Sequence, residues 1–287
     1  MSRELFITVG ESDDGRTALD LLRSRGFSRR MVTKLKQTGG LTRGGEILRS
    51  IDRVCAGDSV RIVMEDSADI PPDPDIPAPV LYEDEDIIVF DKPPFLPVHQ
   101  SIGHYRGTLA NLFAALHPDL PFRPINRLDK NTSGLCVCTK NRFAASSVSG
   151  NISKVYFAVV DGDIERGGVI DLPIGREDGS IIKRCVSPEG KRAVTRYEPI
   201  TRANGRTLLR ITLETGRTHQ IRVHFSHIGY PLCGDDMYGG DCSQINRQAL
   251  HCGEVSFARP FTGEIITVSS ELPDDMRALL TERLNFA

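Results

Sequence analysis

Apolar residues along the 287-residue chain fall mostly in short alternating or continuous runs closed by turn residues: "DIIVFDKPP", "LCVCTK", "VYFAVVDG", "TLLRITLETG" and "GEIITVSS". Such runs predict β-strands. Helical spacing is rarer, chiefly in "GTLANLFAALHP", "THQIRVHFSHIG" and "PDDMRALLTERL". A strand-rich series with few strand-helix-strand repeats predicts an α+β fold around a mostly antiparallel sheet.

The first sixty residues read differently. "GRTALDLLRSRGFSRRMVTKLKQTGG" predicts two short helices, the second capped by Ser28 and ended by Gly39. Met31, Val32 and Leu35 fall on one side of it; Arg29, Arg30, Lys34 and Lys36 fall on the other as a basic stripe. Short strands with Gly-Gly and Gly-Asp turns follow in "LTRGGEILRSIDRVCAGDSVRIVM". Next comes "EDSADIPPDPDIPAPVLYEDED", whose five prolines oppose regular structure and stiffen the chain. The expected organisation is a small α/β domain over residues 1–66, a Pro-rich acidic linker over 67–80 and a larger domain over 81–287.

Charge sharpens that division. The net charge is −2, yet residues 1–62 hold 12 Lys or Arg against 8 acids, residues 63–90 hold 9 acids and no base, and residues 91–287 hold 24 bases against 21 acids. An acidic connector separates two mildly basic bodies, as a nucleic-acid binder requires. The seven cysteines are scattered without a Cys-x-x-Cys pair, which favours reduced thiols over a disulfide framework or a zinc ribbon. No run is long and apolar enough to span a bilayer and the start lacks the pattern of a secretory signal, so a cytoplasmic protein with no membrane association is expected. Neither a Rossmann glycine fingerprint nor a P-loop lysine occurs.

One polar stretch stands out, "INRLDKNTSGL" at residues 125–135, with Asp129 beside basic neighbours and ahead of Thr-Ser-Gly. Alone it reads as a surface turn. Other segments change that. Arg127-Leu128-Asp129 with Thr132-Ser133-Gly134, the strand Lys154-Val155-Tyr156-Phe157-Ala158, the Gly216 to Arg222 run "GRTHQIR", the Gly229 to Asp235 turn and "ALHCGEVSFARPFTGE" occur in the order that marks one family. Residues 80–287 resemble the RluA-type pseudouridine synthases. Residues 12–63 resemble the S-four-type RNA-binding domain. One position departs: where the synthases usually carry His ahead of Arg-Leu-Asp, this chain has Asn126.

The resemblance implies isomerisation of uridine to pseudouridine in RNA, with ribosomal RNA the first choice of substrate and transfer RNA the second. Nothing is oxidised and no energy source is consumed, so no cofactor, no metal and no obligate protein partner is implied. It gives Asp129 the role of nucleophile or base at the sugar. Arg217 is expected to keep that carboxylate ionised, Tyr156 to stack on the uracil and relay a proton, and Ile221 and Leu250 to wall the pocket. Arg127 is the expected filler of the gap left by a flipped base, Lys130 a phosphate contact, and Arg29, Arg30 and Lys34 the RNA-facing residues of the small domain. Competing readings are a phosphoenzyme built on "DKNTSG", opposed by the absence of a spanning run, and a hydrolase using His219, His224 and His227, whose spacing fits no zinc helix motif. A non-enzymatic RNA-binding protein is the third, opposed by intact Asp129, Tyr156 and Arg217.

Overall fold

The strand-like runs build one long sheet, and the short runs before residue 66 build another. A computed structural model describes residues 2–27, 31–33, 35, 39–65, 70–100 and 106–281. The chain divides into two units, Met1–Asp69 and Ile70–Ala287.

In the first unit, β1 (Ser2–Thr8), β2 (Leu41–Arg43), β3 (Glu46–Ile47) and β4 (Ser59–Glu65) form a sheet of order β1-β4-β2-β3, and α1 (Ala18–Ser24) shares its core. Thr17 caps α1 by accepting from the Asp20 N–H at 3.2 Å. Residues 31–33 and 35 are helical, and Val32 and Leu35 enter the core with Leu21, Leu22, Leu41, Val60 and Ile62. Met31, expected on the same face, is 41% exposed. Around the helix Leu35 lies between Val32, about 60° away, and Met31, about 40° away, so Met31 stands at the edge of the buried face. Strand β1, absent from the sequence expectations, pairs with β4 along its whole length. Ser28, Arg29, Arg30, Lys34 and Lys36 lie outside the described residues.

The second unit runs β5 (Val80–Glu83), β6 (Ile87–Lys92), α2 (Leu109–Leu116), β7 (Ser133–Thr139), α3 (Arg142–Val148), β8 (Ser153–Asp161), β9 (Gly168–Asp171), β10 (Ile174–Arg176), β11 (Arg184–Val186), β12 (Val194–Ala203), β13 (Arg206–Leu213), α4 (Gln220–His227), β14 (Leu250–Ala258), β15 (Ile265–Ser269) and α5 (Asp274–Ala278). Eight strands follow the order β5-β6-β7-β14-β8-β13-β12-β9, and β15 pairs with β14. The pairings are antiparallel except that of β7 with β14, which is parallel over two residues. The fold is therefore α+β with a mostly antiparallel, locally mixed sheet. Strand β7 is buried at every position, which explains the continuous apolar run "LCVC" where a half-exposed strand would alternate.

The proline-rich stretch is not a free connector throughout. Ile76 and Ala78 are buried in the larger core, and the Asn111 amide donates to the Pro71 carbonyl at 2.7 Å. Proline removes a backbone donor and blocks helix; it does not stop the apolar side chains between prolines from packing.

Candidate active site

Asp129 is carried by a loop on the edge of β7. Strand β14 leaves β7 after two paired residues, His251 opposite Ser133 and Cys252 opposite Gly134. Residues 123–126 take up the bared edge. The Thr139 N–H donates to the Arg123 carbonyl at 2.9 Å and the Ile125 N–H to the Val137 carbonyl at 2.7 Å. The Asn126 side chain continues this ladder: its Nδ2 donates to the Leu135 carbonyl at 2.9 Å and its Oδ1 accepts the Val137 N–H at 2.8 Å. An amide side chain thus stands in for a peptide group at the base of the loop.

The Thr-Ser-Gly segment is not a turn. The turn is closed earlier, by the Thr132 N–H on the Asp129 carbonyl at 3.1 Å, and Ser133 and Gly134 already belong to β7. Gly134 has φ +104°, and a Cβ there would lie 2.3 Å from the Cys252 carbonyl oxygen, so the close parallel pairing admits only glycine. From the other side Lys92, fully buried at the end of β6, donates through Nζ to the carbonyls of Pro93 at 2.8 Å and Lys130 at 3.2 Å. Burial pushes its pKa down to about 8.

Helix α4 supplies the partner of the carboxylate. Arg222, in its first turn and 6% exposed, places Nη1 3.1 Å from Asp129 Oδ2. Its Nε and Nη2 donate to the two oxygens of fully buried Asp235 at 2.7 and 2.8 Å. That fork fixes the plane of the guanidinium and leaves one edge for Asp129. Gly234 makes the tight approach of the Asp235 turn possible: at φ +73°, a Cβ would sit 2.1 Å from the Arg247 carbonyl oxygen.

His219 precedes α4 in the left-handed conformation, φ 58° and ψ 19°. Its Nε2 lies 3.7 Å from Asp129 Oδ2, and its Nδ1 is 2.8 Å from the Tyr238 hydroxyl. The Arg184 N–H donates to that hydroxyl at 3.0 Å. With the Tyr238 O–H given to Nδ1, the imidazole proton sits on Nε2 and faces the carboxylate. Burial lowers the His219 pKa, which favours this neutral ring. Both contacts to Asp129 fall on Oδ2. Among the described residues no hydrogen bond reaches Oδ1.

Asp129 is 31% exposed and opens on a pocket of about 70 Å³. Arg127, Tyr156, Arg217, Ile221 and Leu250 share its walls with His219 and Arg222. A wider groove of about 800 Å³, walled by several of the same residues, also takes in Lys130, Lys154 and the segment 97–99. Tyr156 sits opposite Cys252 across the β8–β14 ladder, and burial raises its hydroxyl pKa well above the usual phenol range. The hydroxyl therefore stays protonated at neutral pH.

The pairing expected between Asp129 and Arg217 is replaced by Asp129 with Arg222. Arg217 lines the pocket but gives its Nε to the Arg192 carbonyl at 3.0 Å. Sequence reasoning misses these roles of Arg222, Asp235, His219, Tyr238 and Lys92. Arg222 closes the "GRTHQIR" run and Asp235 closes the Gly229 to Asp235 turn, so both stand in recognisable motifs without a signal that the turn brings them together. Of the three histidines weighed as metal ligands, His219 is held by Tyr238, and His224 is occupied at both nitrogens by the Thr195 hydroxyl and the Leu172 carbonyl, each at 2.9 Å.

Residues 86–227 match the RNA pseudouridylate synthase family. An RNA pseudouridine synthase of Bacillus subtilis, YjbO, is 38% identical over 269 residues, covering 89% of this chain and 95% of its own. Ribosomal large subunit pseudouridine synthase D of Pseudomonas aeruginosa is 39% identical over 269 residues, covering 85% and 83%. Among solved structures, human RNA pseudouridylate synthase domain containing 1 superposes with a TM-score of 0.58 at 26% identity, over 68% of this chain and 84% of its own. The chain belongs to the RNA pseudouridylate synthase family, and its activity is the isomerisation of uridine to pseudouridine in RNA.

Proposed function

We propose that the substrate is large-subunit ribosomal RNA and that Asp129 is the catalytic carboxylate. The observation that carries the catalytic assignment is the one-sided hold on Asp129: Arg222 and His219 both meet Oδ2, which leaves Oδ1 without a hydrogen bond among the described residues in a carboxylate that lines the pocket. The guanidinium, held in plane by Asp235, fixes Oδ2 in place. Oδ1 is then the atom that attacks the sugar or removes a proton from it. In the net reaction the bond from C1′ to N1 breaks, the bond from C1′ to C5 forms, C5 loses a proton and N1 gains one. Tyr156 offers its ring to the uracil and, as a protonated phenol, a hydrogen-bond donor. Arg127 fills the space of the flipped nucleotide, Lys130 meets a phosphate, Ile221 and Leu250 bound the base, and Arg217 contacts RNA at the pocket mouth.

The choice of ribosomal RNA is supported by the name of the Pseudomonas relative and by a second ribosomal large subunit pseudouridine synthase D, from Xanthomonas campestris, 36% identical over 280 residues. Residues 1–66 are assigned to RNA binding on the S-four resemblance, with Arg29, Arg30 and Lys34 on phosphates. The test is carbodiimide mapping of pseudouridine in ribosomal and transfer RNA from cells with the gene, without it, and with Asp129→Asn. The expected result is a large-subunit site lost in both mutants. A lost site in transfer RNA alone overturns the substrate, and a retained site in Asp129→Asn overturns the catalytic role.

A further inference from the structure

The hairpin of β10 and β11 stands outside the long sheet, paired from Ile174 opposite Val186 to Arg176 opposite Arg184, with Ile174 also bridged to Lys191. Its foot is anchored. Ile174 is buried with Ala193, Val223 of α4 and Tyr238, and Val186 packs on that cluster. At the other end of the ladder, next to the tip, the Arg184 N–H holds the Tyr238 hydroxyl that orients His219. Its tip is ordered by polar groups alone. The Ser180 N–H donates to the Glu177 carbonyl at 3.1 Å, Ser180 Oγ accepts the N–H groups of Ile182 and Lys183 at 3.2 and 2.9 Å, and Lys183 pairs with Glu177 at 3.2 Å. This turn presents two neighbouring isoleucines to solvent, Ile181 at 82% and Ile182 at 62% exposure.

We propose that Ile181 and Ile182 form an apolar contact with the RNA nucleotides flanking the target uridine. The inference rests on the RNA-modifying reading of the Asp129 pocket. Flipping one nucleotide leaves the faces of its neighbours without stacking partners, and apolar side chains cover such faces. Charge at the tip fits a polyanion: Arg176, Lys183 and Arg184 stand against Glu177, which Lys183 neutralises, and Asp178. Position fits as well. Arg184 is two residues from Ile182, at most about 7 Å of chain, and lies one hydrogen bond from the Tyr238–His219 pair beside Asp129. The tip is thus an RNA contact tied to the active site through Arg184, on the ladder rung next to it.

The test compares wild type with the double variant Ile181→Ser, Ile182→Ser on an unmodified large-subunit ribosomal RNA transcript. Affinity is read by fluorescence anisotropy at low and high salt, and turnover at saturating RNA. Removing the two apolar side chains is expected to weaken binding about tenfold or more. The slope of affinity against salt should not change, because the variant keeps every cationic side chain that can meet a phosphate. Turnover at saturation should stay at the wild-type value, and the double variant Ile181→Phe, Ile182→Phe should bind within about threefold of wild type. Equal affinity in the serine variant overturns the proposal. So does a lower oligomeric mass in light scattering, which gives the surface to a second copy of the chain, or a lowered melting temperature, which gives it to the fold. A wild-type protein that forms no pseudouridine in any RNA refutes the functional reading instead, while the affinities still decide the role of the hairpin.

Discussion

Arg222 meets Asp129 through one nitrogen and Asp235 through two. Asp235 is fully buried, and its fork settles where the guanidinium can point. The charge that steadies the candidate catalytic carboxylate is therefore aimed by a second carboxylate that never reaches the pocket. A lysine cannot make both sets of contacts, since its single ammonium lacks the planar fork.

Arg222→Lys is accordingly expected to lower kcat by about a hundredfold or more in a folded protein. Arg217→Lys should stay within about threefold in kcat, with any loss in KM, because the Arg217 guanidinium serves a backbone carbonyl and the pocket wall. Tritium release from RNA labelled at uridine C5, followed in single turnover, measures both. A collapse in Arg217→Lys with near-normal Arg222→Lys would return the role to Arg217.

Tyr238 and His219 should act as one unit. Tyr238→Phe removes the O–H that holds His219 Nδ1 and is expected to lower kcat by about tenfold, as a second-layer hydrogen bond to an orienting group commonly does. In a His219→Asn background the same change should cost almost nothing, because the group it acts through is gone. Asn tolerates the left-handed backbone at this position. Equal losses from Tyr238→Phe in both backgrounds would show that Tyr238 works independently of His219.

Lys92 gives a pH dependence with a definite sign. Its pKa falls from the ordinary 10.5 to about 8 on folding, so the unfolded chain holds this proton more tightly. Below pH 8 both states are charged and the cost of burial stands in full. Between pH 8 and 10.5 the unfolded state binds more protons, and stability from this group rises with pH. The pKa difference corresponds to roughly 3 kcal/mol. Urea unfolding of wild type and Lys92→Met at pH 7 and pH 10 should therefore show the difference shifting toward wild type at the higher pH. A pH-independent difference would mean that Lys92 folds without losing hydration.

Much of this architecture is legible in the chain, and the exceptions share a cause. Strands β6 and β7 declare themselves by continuous apolar runs, and Asp129 by its place among ordered motifs. Strand β1 hides because Phe6 faces solvent while Leu5 and Ile7 face the core, so its three apolar neighbours show no alternation. Helix α3 buries only Ala144 and Val148, too few apolar positions to mark a period. Motif spacing favours Arg217 over Arg222 because distance along a loop says nothing of the left-handed turn at His219, which starts α4 two residues after Arg217 and sends Arg222 toward Asp129. Tertiary contacts of this kind come from backbone conformation at single residues, and no local pattern encodes them.

The two units make a truncation informative. Each has a core of its own, one around Leu21, Leu22 and Ile62, the other around Phe90, Phe113 and Phe257. The cut belongs between residues 69 and 70. Cutting at residue 80 removes buried Ile76 and the Pro71 carbonyl that Asn111 holds, a loss on the order of 2 kcal/mol from the isoleucine alone. Residues 70–287 are expected to fold and to modify a short uridine-bearing stem-loop at saturation as the full chain does. If residues 1–66 bind RNA through the basic stripe of Arg29, Arg30 and Lys34, their removal should weaken affinity for a large transcript and flatten its salt dependence, the slope falling by about one unit for each phosphate that is no longer neutralised. Affinity titrations of both proteins across a salt series read this directly. A truncated protein whose affinity and slope match those of the full chain would show that the first unit does not bind RNA.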